Sequence, residues 1–134
     1  VLLRLDSGLT ISSRMYREQI APHDERVLRE LGGGGLHSCG RLAHHAAEYL
    51  RVPSVRCLDL GQPELNELDP LYALARPRQI SLIRVTVSEA ELSSGAVLRR
   101  FPTGVSLLYR AESMDQARKV FQAYQEACRR AAGG

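Results

Sequence analysis

Residues 32–40 read GGGGLHSCG, four glycines and then a histidine and a cysteine two positions apart. What flanks this stretch decides the fold. Before it, SSRMYREQIAPHDERVLREL (12–31) sets Met15, Tyr16, Ile20, Val27, Leu28 and Leu31 at helical spacing. The stretch itself ends in GLHSC (35–39), a short bounded run that reads as a strand. A phosphate-cradling glycine loop follows a strand and opens a helix, so that the helix N-terminal amides face the anion. Here the order is helix, glycines, strand, and the run is read as a helix stop and tight turn. The chemistry is then expected at the far end of the strand, where His37 and Cys39 lie.

The same beat recurs on both sides. VLLRL (1–5) reads as a strand that ends in the turn DSG. Pro22 has no N–H for the carbonyl of Glu18, which predicts a kink or break in the first helix. RLAHHAAEYL (41–50) reads as a helix and VRCLDL (55–60) as the third strand. PELNELDPLYALA (63–75) is expected to be mostly helical and split at Pro70. QISLIRV (79–85) is the fourth strand. Ser88 and Glu91 form a capping box that opens a helix to about Phe101. GVSLLYR (104–110) is the fifth strand. Ser113 with Gln116 repeats the capping signal before a helix to about Ala131, whose stripe Met114, Ala117, Val120, Phe121, Tyr124, Ala127 and Cys128 is the cleanest amphipathic pattern in the chain.

Strands alternating with helices at this interval indicate parallel βα units of the α/β class. Five units share 134 residues, at about 27 residues each, close to the unit of a (β/α)8 barrel, which needs eight to close. The expectation is a single domain, residues 1–134, forming the C-terminal five units of a TIM-type barrel. The alternative is a small open parallel α/β sheet. The first residue is Val1 rather than methionine, which suits a piece of something longer.

Bulk properties narrow the functional classes. The chain is 44% hydrophobic and 25% charged, with no apolar run long enough for a membrane span. Its net charge of +3 is scattered, and only 5% of residues are aromatic, so no nucleic-acid-binding face is expected. Three cysteines, Cys39, Cys57 and Cys128, form no disulfide framework and indicate a reducing, cytoplasmic setting.

Residues i and i+2 of a strand share a face, which puts His37 and Cys39 side by side, about 7 Å apart at the backbone, at the strand end where barrel enzymes keep their active sites. Imidazole nitrogen and thiolate are zinc donors. Equally, a strand histidine can be a hydrogen-bonded structural residue and a cysteine a small buried hydrophobe. Other strand ends are polar: Asp6-Ser7, then Asp59-Leu60-Gly61-Gln62-Pro63-Glu64, Thr86, and Arg110-Ala111-Glu112. Asp59 and Glu64 suit either a pocket or the cap of the following helix.

With these strand ends in view, the chain resembles the C-terminal part of the uroporphyrinogen decarboxylase (URO-D) superfamily, which also holds methyltransferases. The text that carries the resemblance is DSGLTISSRMYREQIAPHDERVLRELGGGGLHSCGRLAHH, then LDLGQPELNELDPLYALA, then GVSLLYRAESMDQARKVFQAYQ. The resemblance implies a barrel with its pocket at the strand C-termini. In the methyltransferase branch it implies a zinc ion on the H-x-C pair, His37 and Cys39, that activates a substrate thiol for methyl transfer from a corrinoid or other methylated donor. The family's downstream cysteine has no counterpart in VSLLYRAES. Cys57 is the expected substitute, with His44, Asp59 and Glu64 as other third donors. On this reading His37, Cys39 and Cys57 are the metal ligands, Asp6, Asp59 and Glu64 the catalytic residues, and Ser7, Gln62 and Arg110 bind substrate. The second enzyme reading is decarboxylation of a tetrapyrrole carboxylate without metal, a buried acid stabilising the protonated pyrrole and His37 or Tyr109 handling a proton. The third is a non-catalytic barrel piece that forms a homodimer or requires a separate N-terminal half.

Overall fold

The computed structural model describes residues 1–133. Five strands, β1 (Leu2–Arg4), β2 (Gly34–Ser38), β3 (Val55–Leu60), β4 (Ser81–Thr86) and β5 (Val105–Leu108), form one sheet in the order β1-β2-β3-β4-β5, with every pair parallel. The α/β class and the parallel sheet are as the alternating pattern predicts. The helical segments are α1 (Ser13–Met15), α2 (Ala21–Glu30), α3 (Ala46–Tyr49), α4 (Leu68–Ala75), α5 (Glu89–Ser94), α6 (Ala96–Arg100) and α7 (Met114–Ala132). Among the described residues no helix is long and apolar enough to cross a membrane.

Strict sequential order with right-handed crossovers lays all the helices on one face of the sheet. The core agrees: Leu36, Leu58, Leu60, Leu82 and Val85 are buried on that face against helix residues such as Leu28, Tyr49, Leu71 and Val120. The alternate positions face the other way. Register places Arg4 beside His37, His37 beside Asp59, and Asp59 beside Ile83. This second face is covered only in part: Leu2 is 43% exposed while His37 and Asp59 are buried, and the strand residues of the core cluster come from the helical side.

The glycine run does what its place in the chain requires. Gly32 and Gly33 take φ of 79° and 99°, and the Gly33 amide donates to the carbonyl of Leu28 at 2.7 Å, closing α2. Gly35 has another use: a Cβ there would collide with Cys57 Sγ on the neighbouring strand.

Several boundaries move for local reasons. The break expected at Pro22 is a π-turn, Tyr16–Ile20, ahead of it; the Ala21 amide reaches back to Tyr16, and Pro22 sits in the first turn of α2, where its missing N–H costs nothing. Pro70 likewise lies in the first turn of α4, and the interruption of 63–75 falls earlier, between the 3₁₀ turn Pro63–Leu65 and α4. The helix expected over 41–50 shrinks to α3, and ahead of it the Leu42 amide donates to Asn66 Oδ1 at 2.8 Å. The helix expected over 88–101 starts with the capping box as read, then breaks at Gly95, whose φ of 74° separates α5 from α6.

Behind the β1–β2 end lies a buried aromatic group. Tyr16 and Tyr49 meet edge to face at 4.6 Å, and His45 stacks on Tyr49 at 5.4 Å. His45 Nε2 lies 3.0 Å from the carbonyl of Ile11, and the Tyr16 hydroxyl donates to Asp24 at 2.9 Å. These contacts pin the segment that follows β1, the one that carries Asp6.

Candidate metal centre

Parallel register brings three strand ends together. β1 delivers Asp6 at the start of the 3₁₀ turn Asp6–Thr10, β2 delivers His37 and then Cys39, and β3 delivers Asp59. One ligand atom from each of Asp6, His37 and Cys39 lies within 4.8 Å of the other two. His37 Nε2 is 3.5 Å from Asp6 Oδ1 and 3.6 Å from Cys39 Sγ. In a tetrahedral zinc site with ordinary bond lengths, neighbouring nitrogen, oxygen and sulfur donors stand about 3.3–3.6 Å apart. The trio has the donor types of a zinc-type site, both distances from His37 match that spacing, and three protein donors leave a fourth position open.

The other side of the imidazole is equally ordered. His37 Nδ1 is 2.8 Å from Asp59 Oδ2, and both residues are buried, at 5% and 6% exposure. A ligating histidine characteristically gives its second ring N–H to a carboxylate, which fixes the tautomer and aims the first nitrogen at the metal. Arg84 completes the arrangement: its Nε donates to Asp59 Oδ1 at 2.7 Å and its Nη2 to Asp59 Oδ2 at 2.8 Å.

Asp6 and Cys39 are coupled directly. The Cys39 backbone N–H donates to Asp6 Oδ1 at 3.0 Å and holds the carboxyl below its usual range. The nearby Asp6 carboxylate in turn pushes the Cys39 thiol above its ordinary value.

Two loops are stitched beneath this group. Gln62 Oε1 accepts from the Gly40 amide at 2.9 Å, while Asn66 Nδ2 donates to the carbonyls of Gly40 and Gln62, each at 2.9 Å. The loop after β2 is thereby tied to the loop after β3. Gly61 leaves no side chain there because a Cβ would strike Cys39 Sγ.

Of the residues expected from sequence, the structure joins His37, Cys39, Asp6 and Asp59. Cys57, expected as the third ligand, pairs with Gly35, two residues short of the His37–Asp59 level, and lies outside the close group of Asp6, His37 and Cys39. Its thiol is pushed up by burial. Glu64 is exposed in the turn Pro63–Leu65, also outside the group. Gln62 serves as a loop tie, and Arg110 is exposed beyond β5. Ser7 lines, with Arg4, Asp6, Thr10, Ile11 and Tyr16, a cleft of about 560 Å³ beside β1. Sequence reasoning passed over Arg84 and Asn66. The one signal for Arg84 was a single charge inside the otherwise apolar LIRV of β4.

Comparison with family models, with curated proteins and with solved structures finds no match for this chain.

Proposed function

We propose that the chain is a metal-dependent enzyme domain of the URO-D type, in which Asp6, His37 and Cys39 hold a zinc ion for methyl transfer to a thiol. The observation that carries the reading is the opposed use of His37: Nδ1 on a buried carboxylate, Nε2 toward a thiol and a second carboxylate at tetrahedral spacing. When bound, the zinc supplies Lewis acidity that keeps a substrate thiol ionised at neutral pH, so that its sulfur takes the methyl group while the donor retains the electron pair of the broken bond. Asp59 orients the imidazole, Asp6 accepts from the backbone of Cys39, and the cleft lined by Ser7 and Thr10 offers room for a small-molecule acceptor. A corrinoid is the proposed methyl donor, and a cytoplasmic setting suits three free cysteines.

The fold is proposed to be the C-terminal five units of a (β/α)8 barrel. Parallel sheets are ordinarily covered on both faces, whereas this one has helices on a single face, unreversed strand order, and its site at the strand C-termini. The decarboxylase alternative is less well supported. Arg84 engages both oxygens of Asp59, the buried acid, and the Tyr109 hydroxyl donates to Glu89 at 3.1 Å.

The deciding experiment measures metal in the purified chain together with methyl transfer from methylcobalamin to a panel of thiols. One zinc per chain, lost in His37→Ala and Cys39→Ser and kept in Cys57→Ser, is the expected result. A chain that takes up no zinc and binds a porphyrinogen tightly would sink the methyltransferase reading.

A further inference from the structure

Arg84 occupies a backbone position that arginine seldom takes. Its φ is 67°, in the left-handed region, within a strand. The reason is a bulge: pairing with β5 shifts between Ile83 and Val85, so Leu82 and Val85 face Val105 and Leu107 with one extra residue between them. Without that residue, simple alternation would turn position 84 toward the helices. With it, Arg84 emerges on the same face as His37 and Asp59. A non-glycine residue in the left-handed region costs about 1–2 kcal/mol, which glycine would avoid. The side chain must therefore supply something that the backbone does not.

Its contacts show what that is. Nε and Nη2 clasp the two oxygens of Asp59 as a fork, at 2.7 and 2.8 Å. Nη2 and His37 Nδ1 each lie 2.8 Å from Asp59 Oδ2 and 2.9 Å from one another. With the ring proton on Nδ1, Arg84 and His37 converge as donors on that one oxygen; with it on Nε2, Nη2 donates to Nδ1 instead. A carboxylate held by both oxygens cannot rotate. The direction of its remaining lone pair, and with it the plane of the imidazole, is set by the guanidinium. A lysine would bring the same charge without the fork.

We infer that Arg84 is the positioning residue of the cation site, re-aimed by the β4 bulge to lock Asp59 so that His37 presents a bare Nε2 to Asp6 and Cys39. This inference rests on the cation-site reading above, and it reaches the cation only through Asp59.

The test uses the 134-residue chain, its Arg84→Gly, Arg84→Lys and Asp59→Asn variants, and the two double variants. Zinc affinity is measured by competition with a chromophoric chelator, and the ring nitrogens of His37 are read by ¹⁵N NMR in the metal-free protein. The expected result is a loss of zinc affinity of about ten- to a hundredfold in both single Arg84 variants. Neither adds a further loss in the Asp59→Asn background, and His37 changes from one Nδ1-protonated tautomer to a mixture. Affinity within threefold of the parent, with the tautomer unchanged, overturns the inference, as does an Arg84 effect that persists in full without the Asp59 carboxylate. Should Arg84→Gly fail to fold, Arg84→Lys retains the charge and carries the same comparison. A parent chain that binds no zinc refutes the cation site itself, while the His37 spectrum still reports whether Arg84 orders the ring.

Discussion

His37 is the residue through which every part of the site acts, and its neighbours make distinct expectations. Replacing Asp6 by asparagine removes the carboxylate that holds the Cys39 proton, so the thiol's pKa falls toward its ordinary value. Alkylation of Cys39 by iodoacetamide near pH 8 is then faster in Asp6→Asn than in the parent, and a slower rate would contradict the contact. Because ligands must shed protons to bind a cation, zinc uptake by the parent is expected to release the Cys39 proton and to weaken as pH falls. Calorimetry in two buffers of different ionisation enthalpy counts the proton. His45 makes a separate statement. Burial lowers its pKa from the ordinary 6.5, so between the folded and unfolded values the unfolded chain binds the extra proton. Stability is therefore expected to rise with pH up to about 6.5 and to level off above it. Urea midpoints between pH 5 and 7.5 check this, and His45→Gln should flatten the slope. At this scale the sequence was readable where periodicity put residues on one face, as with His37 and Cys39. It could not place Cys57, because that β2–β3 pairing sets Cys57 level with Gly35 and Asp59 level with His37 is a matter of register, which one strand's sequence does not contain.

Among the elements, local chemistry was legible and its interruptions were not. The capping box at Ser88 is present as read, its side chain accepting from the Glu91 amide at 3.2 Å while Glu91 returns to the Ser88 amide at 2.9 Å. Ser88→Ala is expected to cost about 1 kcal/mol in chemical denaturation. The break at Gly95 escaped notice because a glycine inside an apolar pattern reads equally as tolerated or terminating. Its φ of 74°, and the 3.1 Å between an added Cβ and Ala127, decide for termination. Gly95→Ala, a stabilising change in an ordinary helix, is expected here to destabilise by about 1 kcal/mol or more. The β4 bulge was also beyond reach, since QISLIRV gives no sign that one residue is extra until β5 is laid beside it.

For the molecule as a whole, the alternation of strand and helix carried the parallel sheet, and strand order added what the sequence lacked. The two outer strands, β1 and β5, each have one neighbour. At the β1 side Val1 and Leu2 are 58% and 43% exposed. An unpaired edge with apolar side chains invites another strand. The chain alone is expected to self-associate with rising concentration in sedimentation velocity, and Leu2→Lys should shift it toward monomer. A parent that stays monomeric at all concentrations would count against an available edge.

Because cohesion draws on only one side of this ribbon, the opposite side answers to a different selector. Ser81 and Ser106 there lie outside the apolar core, so exchanges at such places are expected to pass almost unnoticed by the folding equilibrium. On the methyl-transfer proposal, a randomised library confined to that side is where a changed acceptor preference would be sought without endangering the scaffold.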